Sequence, residues 1–129
     1  MTLSKKIGEL INEYYNLEMK GSYKIGYIQY QEDISKKIYD HYRDVILMIN
    51  RKPKKLKYKV KEAGEYLIAY HKGHWENIGE TYQRLIEYAN KHHLQLEPVY
   101  YESCIVDEMM VDGYANYVTE IQVGIKAKK

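Results

Sequence analysis

The chain has 129 residues, 45% of them hydrophobic and 29% charged, with a formal net charge of +2. That size suits one globular domain with a core of its own, and the charge is too small to imply a nucleic-acid partner. No apolar run approaches the ~20 residues of a membrane span, and the single cysteine, Cys104, excludes an internal disulfide framework. The opening residues Met1 to Lys6 lack the apolar core of a signal peptide, so the expected location is the reducing cytoplasm. The aromatic residues are almost all of one kind, with 16 Tyr, one Trp and no Phe.

The first element in chain order is a helix carrying Leu3, Ile7, Leu10, Ile11 and Tyr14, with Thr2 or Ser4 as cap. Residues 22–31 then alternate, with Tyr23, Ile25 and Tyr27 on one face of a strand and Ile28 and Tyr30 on the other. Residues 33–49 carry a passable helical stripe at Ile34, Ile38, Tyr42, Val45 and Ile49, but the run from Val45 to Ile49 is strand-like, and strand is the reading adopted. The basic stretch from Arg51 to Lys59 could hold a phosphate; a solvated loop running into an exposed strand is the simpler reading. Residues 56–62 and 65–72, joined by Ala63-Gly64, form a hairpin or one strand bent at the glycine.

A second helix carries Trp75, Ile78, Tyr82, Leu85, Ile86 and Ala89 and ends near His92-His93, where cations favour a helix C-terminus. Residues 97–107 and 114–126 are strands flanking a turn that contains Asp112-Gly113. Ile7-Gly8-Glu9 recurs as Ile78-Gly79-Glu80, and each helix is followed by Tyr-rich alternating sequence. These echoes suggest an internal duplication, one domain over residues 1–129 with pseudo-repeat halves of about 1–55 and 56–129.

Glu102 is an acid in the middle of an apolar strand, between Tyr100-Tyr101 and Ser103-Cys104-Ile105. A carboxylate taken out of water costs several kcal/mol unless it protonates or is partnered. A hairpin symmetric about Met110-Val111 would set Glu102 opposite Thr119, on one face with Tyr100, Cys104, Tyr117 and Ile121, while Glu120 points to the other. The structural alternative for Glu102 is a carboxylate paired with Arg43, a lysine or tyrosine hydroxyls as architecture alone. His71, His74, His92 and His93 are read as surface histidines rather than metal ligands, since i and i+3 on a strand diverge. Cys104 is read as an inert core thiol. No metal and no cofactor is expected.

From Lys59 to Ile125 the chain resembles the effector-binding domain of MerR-family multidrug-sensing transcription regulators, BmrR-like, also called the GyrI-like or AraC-type domain. The letters that carry the resemblance are Ala63-Gly64-Glu65-Tyr66, Ala69-Tyr70-His71-Lys72-Gly73, Leu85-Ile86-Glu87-Tyr88, Val99-Tyr100-Tyr101-Glu102 and Tyr117-Val118-Thr119-Glu120-Ile121. The resemblance implies an α+β fold of duplicated β-α-β-β units, an antiparallel sheet with two helices on one side and a central cavity. Because this sequence opens at the first helix, the first strand of the first unit is expected to be missing, leaving a sheet edge that a homodimer could cover.

In such domains the Glu of the Tyr-Glu pair meets cationic lipophilic drugs, which here is Glu102. Tyr117 lines the same pocket, and Tyr23 and Tyr42 resemble the pocket tyrosines of the first half. Tyr100, on the face of Glu102, and Trp75, near the start of the second helix, complete the expected ligand-binding set. The implied function is sensing of an amphipathic, cationic, aromatic small molecule to regulate transcription, with DNA reached only through a separate helix-turn-helix region not present in this sequence. Two alternatives are a stand-alone GyrI-like protein acting by protein interaction and an enzyme using Glu102 as general base. With no nucleophile or oxyanion site in view, the expectation is that the chain is not an enzyme.

Overall fold

The computed structural model describes residues 23–40, 44–49, 59–61, 63–106 and 117–126, together with residue 9. In chain order the elements are β1 (Tyr23–Tyr30), α1 (Gln31–Ser35), β2 (Asp44–Ile49), β3 (Tyr66–Lys72), a 3-10 turn (Trp75–Asn77), α2 (Ile78–Lys91), β4 (Leu96–Val106) and β5 (Val118–Ile125). The five strands form one sheet in the order β2-β1-β4-β5-β3, and every pairing is antiparallel. The fold is α+β, as expected. β1 and β4 are neighbours in the middle of the sheet, each flanked by the strand that follows it.

Strand alternation sends one set of side chains from each strand to the same face. On that inner face lie Tyr27 and Gln29 of β1, Tyr100 and Glu102 of β4, Ile121 and Val123 of β5, and Leu67 and Ala69 of β3. Across it lies α2, whose Ile78, Thr81, Tyr82, Leu85 and Ala89 are buried while Arg84, Glu87, Tyr88 and Asn90 are exposed. The spacing of the buried set is that of one helical stripe. The core joins Ile34 of α1 to Ile78, Tyr82 and Leu85 of α2 and to Tyr100, Ile121 and Val123 of the sheet, so both helices cover the same face. Each of these side chains, fully buried, contributes about 1.5 to 3 kcal/mol of transfer free energy.

Both helices end in the same way. Lys37 (φ 60°) and His93 (φ 57°) are left-handed without being glycine. Ile38 N–H donates to the Asp33 carbonyl at 2.9 Å, and Leu94 N–H donates to the Ala89 carbonyl at 2.8 Å. That bond spans the left-handed residue and satisfies a carbonyl the helix leaves open.

Several expectations are corrected here. Residues 33–49 are not one strand. The strand reading holds over Asp44–Ile49, but Gln31–Ser35 is helical, because Ile34 completes the core from a turn of helix rather than from a sheet position. Lys59 to Lys61 lie in no strand, β3 pairs with β5, and the rest of the expected strand over 56–62 lies outside the described residues. Glu102 faces Ile121 and not Thr119, which faces Cys104. The two-residue offset preserves parity, so the face assignment stands; a break in register between Cys104 and Val106 is the irregularity that a symmetric hairpin leaves out. The first expected helix lies outside the described residues except for Glu9, which is helical.

Candidate functional site

The site is built around Glu102, which is 2% exposed and lies mid-strand between β1 and β5, opposite Tyr27 on one side and Ile121 on the other. Its Oε2 accepts from Gln29 Nε2 at 3.0 Å and from the Tyr82 hydroxyl. Gln29 comes from the neighbouring strand and Tyr82 from the buried stripe of α2, so sheet and helix each supply one neutral donor. Hydrogen bonds to a charged acceptor in a low-dielectric site are the strong kind. They keep a buried carboxylate tolerable without neutralising its charge.

A cavity of about 530 Å³ runs from this carboxylate to the surface. Tyr27, Cys104 and Thr119 wall its inner part beside Glu102, and Lys37, Asp40 and Glu76 stand at its mouth. Trp75, Tyr39 and His74 supply the remaining walls. Burial, the adjacent Cys104 and the charge of Glu102 together hold the Tyr27 phenol above its usual range, so it presents a neutral hydroxyl.

The aromatic walls are tightly positioned. Tyr39 stacks on Tyr82 with ring centroids 5.5 Å apart, its hydroxyl accepts from Gln83 Nε2 at 2.7 Å, and its carbonyl accepts from Gln29. Gly79 makes room for that ring, since a Cβ there would lie 2.5 Å from Tyr39 Cε2. Trp75 donates from Nε1 to Thr119 Oγ1 at 3.1 Å and packs on Tyr117 at 5.5 Å. The turn that carries it is capped by His74, whose Nδ1 accepts from Glu76 N–H.

Of the six residues expected at the site, the structure brings Glu102 and Trp75 to the cavity wall. Tyr117 is 3% exposed and stands behind Trp75. Tyr100 lies on the face of Glu102 but inside the core, fully buried, edge-on to Tyr82 and donating its hydroxyl to Gln31 Oε1 at 2.7 Å. The Tyr23 side chain and all of Tyr42 lie outside the described residues.

Tyr39, Tyr82 and Gln29 were not singled out, although the buried stripe of α2 contains Tyr82 and the alternation of β1 puts Gln29 in phase with Tyr27. Nothing in the local pattern marks Tyr39, which precedes β2 in a loop. Cys104 is half-buried at the cavity wall rather than enclosed in the core.

His71 also departs from expectation: it is 4% exposed. Its Nε2 donates to the His74 carbonyl at 2.9 Å, and its Nδ1 meets Thr81 Oγ1 at 2.7 Å. Thr81 Oγ1 accepts from Arg84 at 3.0 Å, leaving its own proton for Nδ1, which fits the neutral Nε2–H tautomer. His71 therefore ties the end of β3 to α2. Among the described residues no group of His, Cys, Asp and Glu could hold a metal ion, and no helix is long and apolar enough to cross a membrane.

The family described as a GyrI-like small molecule binding domain matches residues 3–126. The chain is 32% identical over 120 residues to the multidrug-efflux transporter 2 regulator of Bacillus subtilis, covering 93% of this chain and 43% of that protein. The chain thus spans less than half the length of the relative it matches.

Proposed function

The chain belongs to the GyrI-like family of small-molecule-binding domains, and we propose that its cavity takes an amphipathic, aromatic, cationic molecule whose charge is met by Glu102. The observation that carries this reading is a carboxylate 2% exposed at the inner wall of an aromatic cavity of about 530 Å³. A delocalised organic cation loses little hydration on entering such a cavity, while its apolar surface gains ~25 cal/mol per Å² buried. Each aromatic face adds a cation–π attraction of about 0.5 to 2 kcal/mol. One buried charge then selects for sign while the rings tolerate many shapes. The resulting specificity is broad, which suits the sensing part of a regulator such as the relative's name describes.

In this reading Glu102 and Trp75 touch the ligand directly, with Tyr27, Tyr39 and Thr119. Tyr117 supports Trp75, and Tyr100 supports Tyr82. Tyr23 and Tyr42 remain part of the proposed set from the resemblance alone. Occupancy would be passed to DNA only through a helix-turn-helix region of a longer regulator.

The test is a titration with tetraphenylphosphonium, read by the fluorescence of Trp75, the only tryptophan of the chain. Micromolar binding is expected for the wild type, with a loss of ~100-fold or more for Glu102→Gln, the scale at which an uncompensated buried charge is felt. Equal binding by both proteins would remove Glu102 from the site.

A further inference from the structure

We infer that His74 is a positioning residue of the site: uncharged, it holds Trp75 in the cavity wall, and a proton on its ring competes with the cationic ligand. The inference deepens the cationic-ligand reading and rests on it.

The His74 side chain is 31% exposed and lines the cavity. Its Nδ1 accepts from the Glu76 N–H at 3.1 Å and so caps the 3-10 turn Trp75–Asn77. Trp75 opens that turn, its ring lies 5.8 Å from the His74 ring, and its Nε1 donates to Thr119 Oγ1 at 3.1 Å. An imidazole that accepts at Nδ1 carries its proton at Nε2 and is uncharged. A second proton would take the lone pair that the Glu76 N–H now uses. The ring would then have to leave that N–H, with the Glu76 carboxylate, 3.8 Å from Nδ1, as its new partner. One of the open N–H groups at the start of the turn would lose its cap, and Trp75 its fixed position.

The charges around the ring bear on the same step. Glu76 on its own turn, Asp40 after α1 and Glu102 of β4 favour the imidazolium, while Lys37 disfavours it. Tyr27, Tyr39 and Cys104 complete the titratable walls, and His71 of β3 donates to the His74 carbonyl. A cation that enters the cavity adds a positive charge among these groups and answers Glu102, so it removes the attraction that draws a proton to His74. An imidazolium in the wall likewise opposes the cation, because like charges in a partly desolvated cavity are weakly screened. Charge and position act in the same direction, and each ligand weakens the other by the same factor.

The experiment titrates the full chain with tetraphenylphosphonium at about pH 7.5 and about pH 5.5. The wild type is expected to bind ~10-fold more weakly at the lower pH, the ratio produced when a proton on an ordinary imidazole, pKa about 6.5, excludes the ligand. His74→Asn keeps a capping acceptor and removes the titration, so its two affinities should agree within ~2-fold. A variant that weakens as much as the wild type, or a wild type whose affinity does not change, overturns the inference and leaves the cationic reading standing. A second measurement needs no variant. An imidazolium quenches a neighbouring indole, so the fluorescence of Trp75, the only tryptophan, reports the charge on His74. Its midpoint should fall by ~1 pH unit or more when tetraphenylphosphonium is saturating, and an unmoved midpoint also overturns the inference. Absence of binding at both pH values removes the cationic reading and this inference with it.

Discussion

Tyr82 separates architecture from recognition at the level of single residues. Its ring belongs to the core and its hydroxyl to Glu102, so Tyr82→Phe keeps the packing and deletes one donor to a buried charge. Urea unfolding of that variant should show a loss of ~1.5 to 3 kcal/mol, while affinity for a lipophilic cation holds or rises, because the empty site is the state that loses the bond. A fall in affinity would mean that Tyr82 acts on the ligand itself. Tyr100 gives a prediction in pH. Burial pushes its ionisation up to about 12 from an ordinary 10.0. The folded state therefore favours the neutral phenol, and the contribution is complete below pH ~10 and lost as pH rises toward ~12. Unfolding at about pH 9 and about pH 11.5 should show the wild type losing more stability over that interval than Tyr100→Phe. An equal loss would assign the alkaline sensitivity to other tyrosines.

Elements bring these residues within reach of one another, and the start of α2 shows the cost. Helix propensity alone says that Gly79→Ala gains up to ~1 kcal/mol. The Tyr39 ring says the opposite, because the new Cβ would sit 2.5 Å from it, and a clash with a ring pinned by stacking on Tyr82 and by the bond from Gln83 to its hydroxyl outweighs propensity. Thermal unfolding should show Gly79→Ala destabilised in the wild type and stabilised in a Tyr39→Ala background, a non-additivity that only direct contact produces. The helix C-terminus carries the converse case. His93 is left-handed and exposed, a conformation that costs an L-residue about 1 to 2 kcal/mol. His93→Gly should raise stability by ~0.5 to 1 kcal/mol, net of the extra freedom glycine gives the unfolded chain. No change in the midpoint would show that the left-handed turn relaxes in solution.

The whole molecule places the cavity across the seam of the sheet. Tyr27, Lys37 and Tyr39 come from before residue 55, and Trp75, Glu102 and Thr119 from after it, joined by the β1–β4 pairing from Gly26↔Ser103 to Tyr30↔Val99. Neither half holds a complete site. Residues 56–129 expressed alone should bind no cation, and co-expression with residues 1–55 should restore both co-purification and binding, if the halves pair through β1 and β4. Binding by the second half alone would confine the site to residues after 55. At this scale the position of Glu102 also acquires its reason. It sits on the central pair of strands, where β4 is hydrogen-bonded on both edges and α2 covers the face, so water is excluded from every side but the cavity.

Much of this was readable along the chain. The alternation of β1, β4 and β5 determined which residues face inward, because side-chain parity is a property of the strand itself and survives a two-residue error in register. The stripe from Ile78 to Ala89 determined α2 and its buried face for the same local reason, and the acid at Glu102 stood out because its neighbours are apolar. Tertiary structure decided the rest. Gln31–Ser35 is helix because Ile34 is needed in a core assembled from distant strands. His71 is buried because the end of β3 lies under Thr81. Tyr39, Tyr82 and Gln29 meet at Glu102 although separated from it by 63, 20 and 73 positions. Local periodicity carries no information about such distances; they are set by how a sheet and a helix pack, and the proposed ligand site exists only once they have.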